Sequence, residues 1–489
     1  MMKEKGRRKT INVKQIKAMQ QVKKNMKRRE SRSEMKSNQQ TIYKRVLRLA
    51  IPMMIQNGIT NAVSLVDNIM VGSLGTESIT AVSIIGQLIF VFNLAIFGGI
   101  SGPGIYSAQY YGQGNMEGVR NTFRMKLWIC FICMLTGLGV FWFCGDQLIG
   151  LYLHGGSTNI DQTLTMQYGL QYLQIMLLGL FPFVITQIYA SSLREMEDSV
   201  NPMIAGLISV VVDVLFNYLL IYGKFGLPRL GVKGAAIATV LARIVEAAIV
   251  VFWSHATAKH KEFFKGLFHR ITVPKEIAKG IILKGLPIFA NEFLWAGAMA
   301  AMTQCYSTRG LEIVAGLNIS NTLCNLLNVV FIAMGSAVGI IVGQMLGEGS
   351  YEKAKKESFH LACFTGIISA VLMIVLIVAS FFFPRLYDVS GGVRRYGTYF
   401  IIITAVFFPV QGVLNALYFT IRAGGKTFIT FLFDSAFSWC VAFSIALILC
   451  VCTDIPILAV YAIVQSVDMI KLFIGSILIK KGIWASNIV

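Results

Sequence analysis

Apolar positions along this chain gather into long runs separated by short connections rich in glycine and charge. From about residue 45 the runs recur to the end, and each is long enough to cross roughly 30 Å of hydrocarbon as a helix. Twelve crossings are predicted, at 45–71, 79–108, 120–144, 164–189, 201–222, 233–254, 281–306, 313–343, 358–382, 396–420, 428–452 and 456–479. The pattern therefore predicts an all-α polytopic membrane protein.

Composition agrees: 55% of the 489 residues are apolar and only 14% charged, a balance foreign to ordinary soluble chains. The formal net charge of +20 would suggest nucleic acid if it were spread out. It is not, because residues 1–48 hold 17 Lys and Arg against three Glu. A basic block ahead of the first crossing is held on the cytoplasmic side and drawn to anionic lipid headgroups. Residues 1–43 are read as a solvated, mostly disordered tail, with a short basic amphipathic helix through Ile16, Met19, Val22 and Met26 as the alternative. The first apolar run is too long and too far in for a secretory signal.

With the N-terminus inside, even-numbered connections should be the basic ones. Odd-numbered connections hold only Lys224, Arg229, Lys233, Arg309, Arg385, Arg394 and Arg395, whereas Lys480 and Lys481 follow the last crossing. Both termini are accordingly expected in the cytoplasm of a cell membrane. The longest and most basic connection, 257–280, is expected to link two lobes, 44–256 and 281–489.

An internal repeat supports that division. At an offset of 235, Pro52 superposes on Pro287, Gly75 on Gly310, Gln109 on Gln344, Gly112 on Gly347, Gly114 on Gly349 and Glu117 on Glu352, among 13 identities in 66 ungapped positions. Apolar bias does not supply matched polar residues and glycines at helix ends. Six crossings per half make the repeats parallel, so two pseudo-symmetric six-helix bundles would enclose a central cavity that opens alternately to either side.

Four segments, VDNIMVGSLG (66–75), AQYYGQGNMEGVR (108–120), GKFGLPRLGVKGAAIATVLAR (223–243) and VGQMLGEGSYEKAK (342–355), resemble the multidrug and toxic compound extrusion (MATE) family. The likeness runs from about residue 44 to the end. It implies ion-coupled efflux. The family's cytoplasmic pattern of Arg, Gly-rich turn, Asp and Pro is kept in part, by Arg194, Asp198 and Pro202 in one half and by Arg422 with its glycines in the other.

Acids inside the spans are the candidate chemistry, since each costs roughly 2.5 to 3.5 kcal/mol at the centre of a crossing. Glu246 has Arg243 three residues before it, and Asp468 has Lys471 three after it, so each pair can neutralise itself on one helix face. Asp434 and Asp213 lack such partners, and Asn217 shares the face of Asp213. Asp67 and Glu292 are the main candidates. A carboxyl group in a closed cavity favours its neutral form and charges once water, a monovalent cation or a cationic substrate arrives.

The resemblance assigns that coupling role to an acid in the first helix, here Asp67, and in one branch to an acid in the seventh. Glu292 is in the seventh helix but one turn nearer Pro287 than that branch's usual position, which Trp295 fills. The branch's further carboxylate in the tenth helix is absent from 396–420, which argues against a complete sodium site in the second lobe. Asn291 is expected to hydrogen-bond Glu292, and Trp295 to offer its face to a cation.

Nine cysteines and five histidines form no zinc-like set or catalytic pair, and no phosphate-binding glycine loop occurs, so no metal, cofactor or ATP-driven engine is expected. The expectation is a secondary active antiporter, not an enzyme. It would act as a monomer, exporting organic, cationic and aromatic compounds in exchange for protons or Na+. A flippase or exporter of lipid-linked or polar metabolites is the alternative. That rival should place Arg or Lys in the cavity.

Overall fold

A computed structural model of the chain describes residues 40–153, 161–257, 261–387 and 389–489. The chain divides into the units Met1–Arg48 and Leu49–Val489. Residues 1–39 of the basic tail, with its amphipathic spacing and lipid contact, lie outside the described residues, while 40–43, expected in the tail, already belong to the first helix.

Among the described residues there is no strand, and the long helices follow the apolar runs in order. They are α1 Gln40–Gly72, α2 Thr76–Gly112, α3 Met116–Leu153, α5 Val200–Tyr222, α6 Val232–Ala256, α7 Lys275–Ser307, α8 Leu311–Gly347, α9 Tyr351–Ser380, α10 Gly391–Ala423, α11 Thr427–Cys452 and α12 Ile457–Lys481. The remaining crossing, α4, comes in two pieces, Gln162–Leu178 and Leu180–Glu195, bent by 47°. Its break at Gly179 has a local cause. Pro182 has no N–H to donate to the carbonyl of Leu178 four residues before it, and it is best tolerated in the first turn of a helix, here the one that starts at Leu180. The carbonyl of Gly179 accepts from Phe183 N at 3.3 Å and also from Arg243 Nη1 at 3.3 Å.

The exterior is that of a protein in lipid. Phe143, Phe252, Leu283 and Ile374 face outward, while Gln109, Lys126, Asn217 and Gln344 are buried. Hydrocarbon solvates the first set and penalises the second, which reverses the arrangement of a soluble domain.

The repeated glycines answer to backbone geometry. Gly75 and Gly310 stand immediately before α2 and α8 at φ +125° and +131°, and Gly114 and Gly349 turn the chain at +77° and +75°. A side chain is strained there, so glycine recurs at the same place in each half. Gly112 and Gly347 recur for another reason, close approach. A β-carbon on Gly112 would collide with the carbonyl of Gln344, and one on Gly347 with that of Gln109.

At this seam between α2 and α8 each glutamine also reaches across the halves. Gln109 Nε2 donates to Ala423 O at 2.9 Å, at the end of α10, and Gln344 Nε2 donates to Glu195 O at 2.9 Å, at the end of α4. The C-terminal segment closes over the same place. Gly482 turns it back at φ +66°, Ser486 Oγ donates to Gly424 O at 2.7 Å, and Ile488 N donates to Gln109 Oε1 at 2.9 Å.

The basic connection is shorter than expected, because α7 starts at Lys275 directly after Pro274. One helical turn, Lys261–Phe264, lies within it. Donors one turn apart on α3 hold it down: Arg120 Nε to Phe263 O at 3.0 Å, Arg124 Nε to Leu267 O at 2.9 Å and Trp128 Nε1 to Ile271 O at 3.1 Å.

Gly347→Val should lower stability by about 1–3 kcal/mol, because the seam backbone cannot yield to a side chain. Gly139→Ala, where a β-carbon meets open space, should leave it unchanged or slightly raised. Thermal unfolding in detergent micelles separates the two.

Candidate functional site

In the first half, Asp213 and Asn217 lie one turn apart on the buried face of α5. That spacing aims both at α1, where Asn217 Nδ2 donates to Asp67 Oδ1 at 2.9 Å. Asp213 lies within hydrogen-bonding reach of Asp67 and of Thr239 on α6, with Arg243 the nearby positive charge. Oδ1 of Asp213 and Oδ1 of Asn217 are buried and accept no hydrogen bond. The expected Arg243–Glu246 pair is not an ion pair here, since Arg243 turns to Gly179 and lies over the Phe183 ring at 5.0 Å. Glu246 shares the field of Arg194 and Arg243.

In the second half, α11 is locally wound as π-helix over Leu432–Ala436 and Ser438–Phe443. Such turns often mark functional positions. They lie beside Asn291 of α7. Asn291 does not serve Glu292 as expected. Its Nδ2 donates to Asp434 Oδ2 at 3.0 Å and Tyr418 Oη at 3.2 Å, and its Oδ1 accepts from Ser435 Oγ at 2.6 Å. Asp434 has a partner after all, one on another helix: Lys471 Nζ of α12 is 3.7 Å from its Oδ1 and 3.7 Å from Asp468 Oδ1. Gln411 Nε2 donates to Asp468 Oδ2.

Glu292 is a separate case. It points to the first half, where its Cγ would lie 3.6 Å from a β-carbon on Gly98 of α2. Its Oε1 is 3.9 Å from Arg422 Nη1, so this acid too has a countercharge. Arg422 sits 5.4 Å from the Phe419 ring centroid and 5.9 Å from that of Phe97. Trp295 is 38% exposed and makes no ring or ion contact with Glu292.

A cavity lies between the halves, walled by α2, α4, α8 and α10. Phe97, Gln187, Arg194, Glu195, Phe419 and Arg422 are among its lining residues. Behind it is a pair that a census of acids alone overlooks. Lys126 Nζ of α3 lies 2.7 Å from Glu195 Oε2, donates to Ser191 Oγ and Ser192 Oγ at 3.0 Å each, and is fully buried. The signal was available: a lysine inside the third predicted crossing needs a partner as much as an acid does. The repeat offset sets Leu361 opposite Lys126, so the pair belongs to the first half alone.

Two stretches, residues 52–219 and 287–445, each match the MatE family. The chain belongs to the MatE family. The two matches start at Pro52 and Pro287, the same positions the internal repeat superposes. This MatE protein is 25% identical over 347 residues to a protein of Thermotoga maritima named probable multidrug resistance protein NorM, covering 70% of this chain and 71% of that one. A protein of the same name from Agrobacterium fabrum is 26% identical over 383 residues, 76% of this chain and 79% of the other. The fold of this MatE protein matches the crystal structure of a mutant of the Vibrio cholerae MATE transporter VcmN with a TM-score of 0.80 at 16% identity, over 92% of this chain and 99% of that one. This MatE protein is thus an integral membrane protein of a transporter family.

Removing one member of the buried Lys126–Glu195 pair leaves an uncompensated charge. Lys126→Met should therefore cost about 3–5 kcal/mol, and the double variant Lys126→Met, Glu195→Met should recover most of that loss. Thermal unfolding of the three proteins in detergent is the measurement.

Proposed function

We propose that this MatE protein is a secondary active exporter of the cell membrane, moving organic compounds outward in exchange for protons or Na+. The observation that carries this reading is the Asp67–Asp213–Asn217 cluster. Two carboxyl groups within hydrogen-bonding reach, Asp213 buried and Asp67 half-buried, beside oxygens that accept no bond, favour a shared proton or a bound cation over two bare charges. A proton or Na+ arriving from outside binds there, and its differential affinity for the two states drives the exchange. One charge moving through 100 mV supplies about 2.3 kcal/mol, roughly a fifty-fold bias.

Both termini and the Gln109–Gln344 seam belong to the cytoplasmic side, where the basic connections are. The seam is the closed gate in this conformation, and rocking of the halves breaks its cross-half hydrogen bonds. Organic cations with aromatic rings suit a cavity walled by Phe97 and Phe419, with Glu292 close behind Arg422. The names of the bacterial relatives support drug efflux. A second reading, export of polar or lipid-linked metabolites carrying anionic groups, is favoured by Arg194 and Arg422 on the cavity wall.

Efflux from proteoliposomes with proton and Na+ gradients imposed separately tests the coupling. Asp67→Asn and Asp213→Asn should each abolish ion-driven transport by at least about tenfold while leaving substrate binding measurable. Full ion-driven transport in both variants would remove the assignment.

A further inference from the structure

Each half builds a polar cluster that brings two acids together from different helices, but the helices used are not all equivalent in the repeat. On α5 an acid and a polar residue stand four apart, Asp213 and Asn217, facing a second acid, Asp67. On α11, nearer the start of its helix, Asp434 and Ser438 are likewise four apart, with Asp468 on α12 as the second acid. Between this second pair of carboxylates stands an ammonium group of the chain itself.

Lys471 Nζ is 3.7 Å from Asp434 Oδ1, 3.7 Å from Asp468 Oδ1, 3.4 Å from Ser438 Oγ and 5.2 Å from the Phe437 ring centroid. The other carboxylate oxygens are taken by neutral donors, Asn291 for Asp434 and Gln411 for Asp468. The lysine is thus surrounded as a monovalent cation would be, by two carboxylates, a hydroxyl and an aromatic face.

We infer that Lys471 is a tethered replacement for a cation in the second half, so that Asp434 and Asp468 hold no exchangeable ion and the driving ion passes through the first half alone. A free ion can bind on one side of the membrane and leave on the other. An ammonium group on a side chain three residues from Asp468 cannot. What it supplies is permanent: it neutralises one of the two charges and keeps α11 and α12 together in every state of the cycle. The inference rests on the ion-coupling role proposed for Asp67 and Asp213, but its test needs no transport.

Lys471→Met should create a cation site where the native chain has none. In purified protein, equilibrium binding of radioactive Na+ should show one further saturable site per chain in Lys471→Met, and that gain should vanish in Lys471→Met, Asp434→Asn. The melting temperature of the single variant should rise by about 2 °C for each tenfold increase in free Na+ above the dissociation constant, with K+ and Li+ tried in parallel.

If Lys471→Met is poorly folded without salt, its rescue by one of these cations, and not by choline, supports the inference equally. The double variant Lys471→Met, Asp468→Asn keeps the cluster's formal charge and should fold without added cation. A Lys471→Met protein that gains no site, or that none of the three cations stabilises, overturns the inference. Failure of the proposed coupling would appear elsewhere, as Asp67→Asn retaining full ion-driven transport.

Discussion

Charge in hydrocarbon must be neutralised inside the protein, because no water is there to do it, and this constraint organises the polar interior of the bundle. Lys126 meets Glu195, Glu292 meets Arg422, and Lys471 lies between Asp434 and Asp468. Breaking any such contact strands a charge at a cost of several kcal/mol, which makes each pair a rigid joint between helices. The Asp67–Asp213 cluster departs from that rule. It sets two acids together, leaves two oxygens without donors and has only Arg243 as nearby positive charge. Without a cation in direct contact it suits the mobile ion proposed for it, whereas acids within 4 Å of an ammonium or guanidinium group suit the frame.

The frame itself depends on how closely two backbones approach. Gly112 and Gly347 let α2 and α8 touch, which brings Gln109 and Gln344 to the last carbonyls of α10 and α4 in the opposite half. Those carbonyls have no partner within their own helices, so the crossing bonds satisfy helix ends and hold the halves together in one contact. The cavity lies directly above, walled by the same four helices. A contact made of hydrogen bonds over glycine, without interdigitated large side chains, can be opened and remade with little repacking. An alternating-access gate needs that property.

The two halves have diverged in their polar content while keeping their backbone. The glycines at positive φ recur because only glycine fits, and both halves retain them. Lys126 has Leu361 opposite it in the repeat, and the Lys471 cluster has no ammonium counterpart beside Asp67. Duplication conserved the positions where geometry leaves no choice. Side chains between helices were free to change, provided each change kept the local charge balanced.

The twelve crossings, the all-α class, the turns and the repeat were legible in the residues, because hydrophobic length, helix-ending glycines and superposed motifs are local properties of the chain. Candidate acids were legible too, as charges in the wrong solvent. Of their partners, only Lys471 for Asp468, three residues on in the same helix, was legible. Asp67 meets Asn217 from 150 positions away and Asn291 meets Asp434 across 143, so nearest-neighbour spacing named the wrong companions for Asn291, Glu292 and Arg243. Solvent transfer acts on each residue separately and can be read along a line. Hydrogen bonds and ion pairs act over about 3 to 4 Å, so only the packing of one helix against another decides which groups meet.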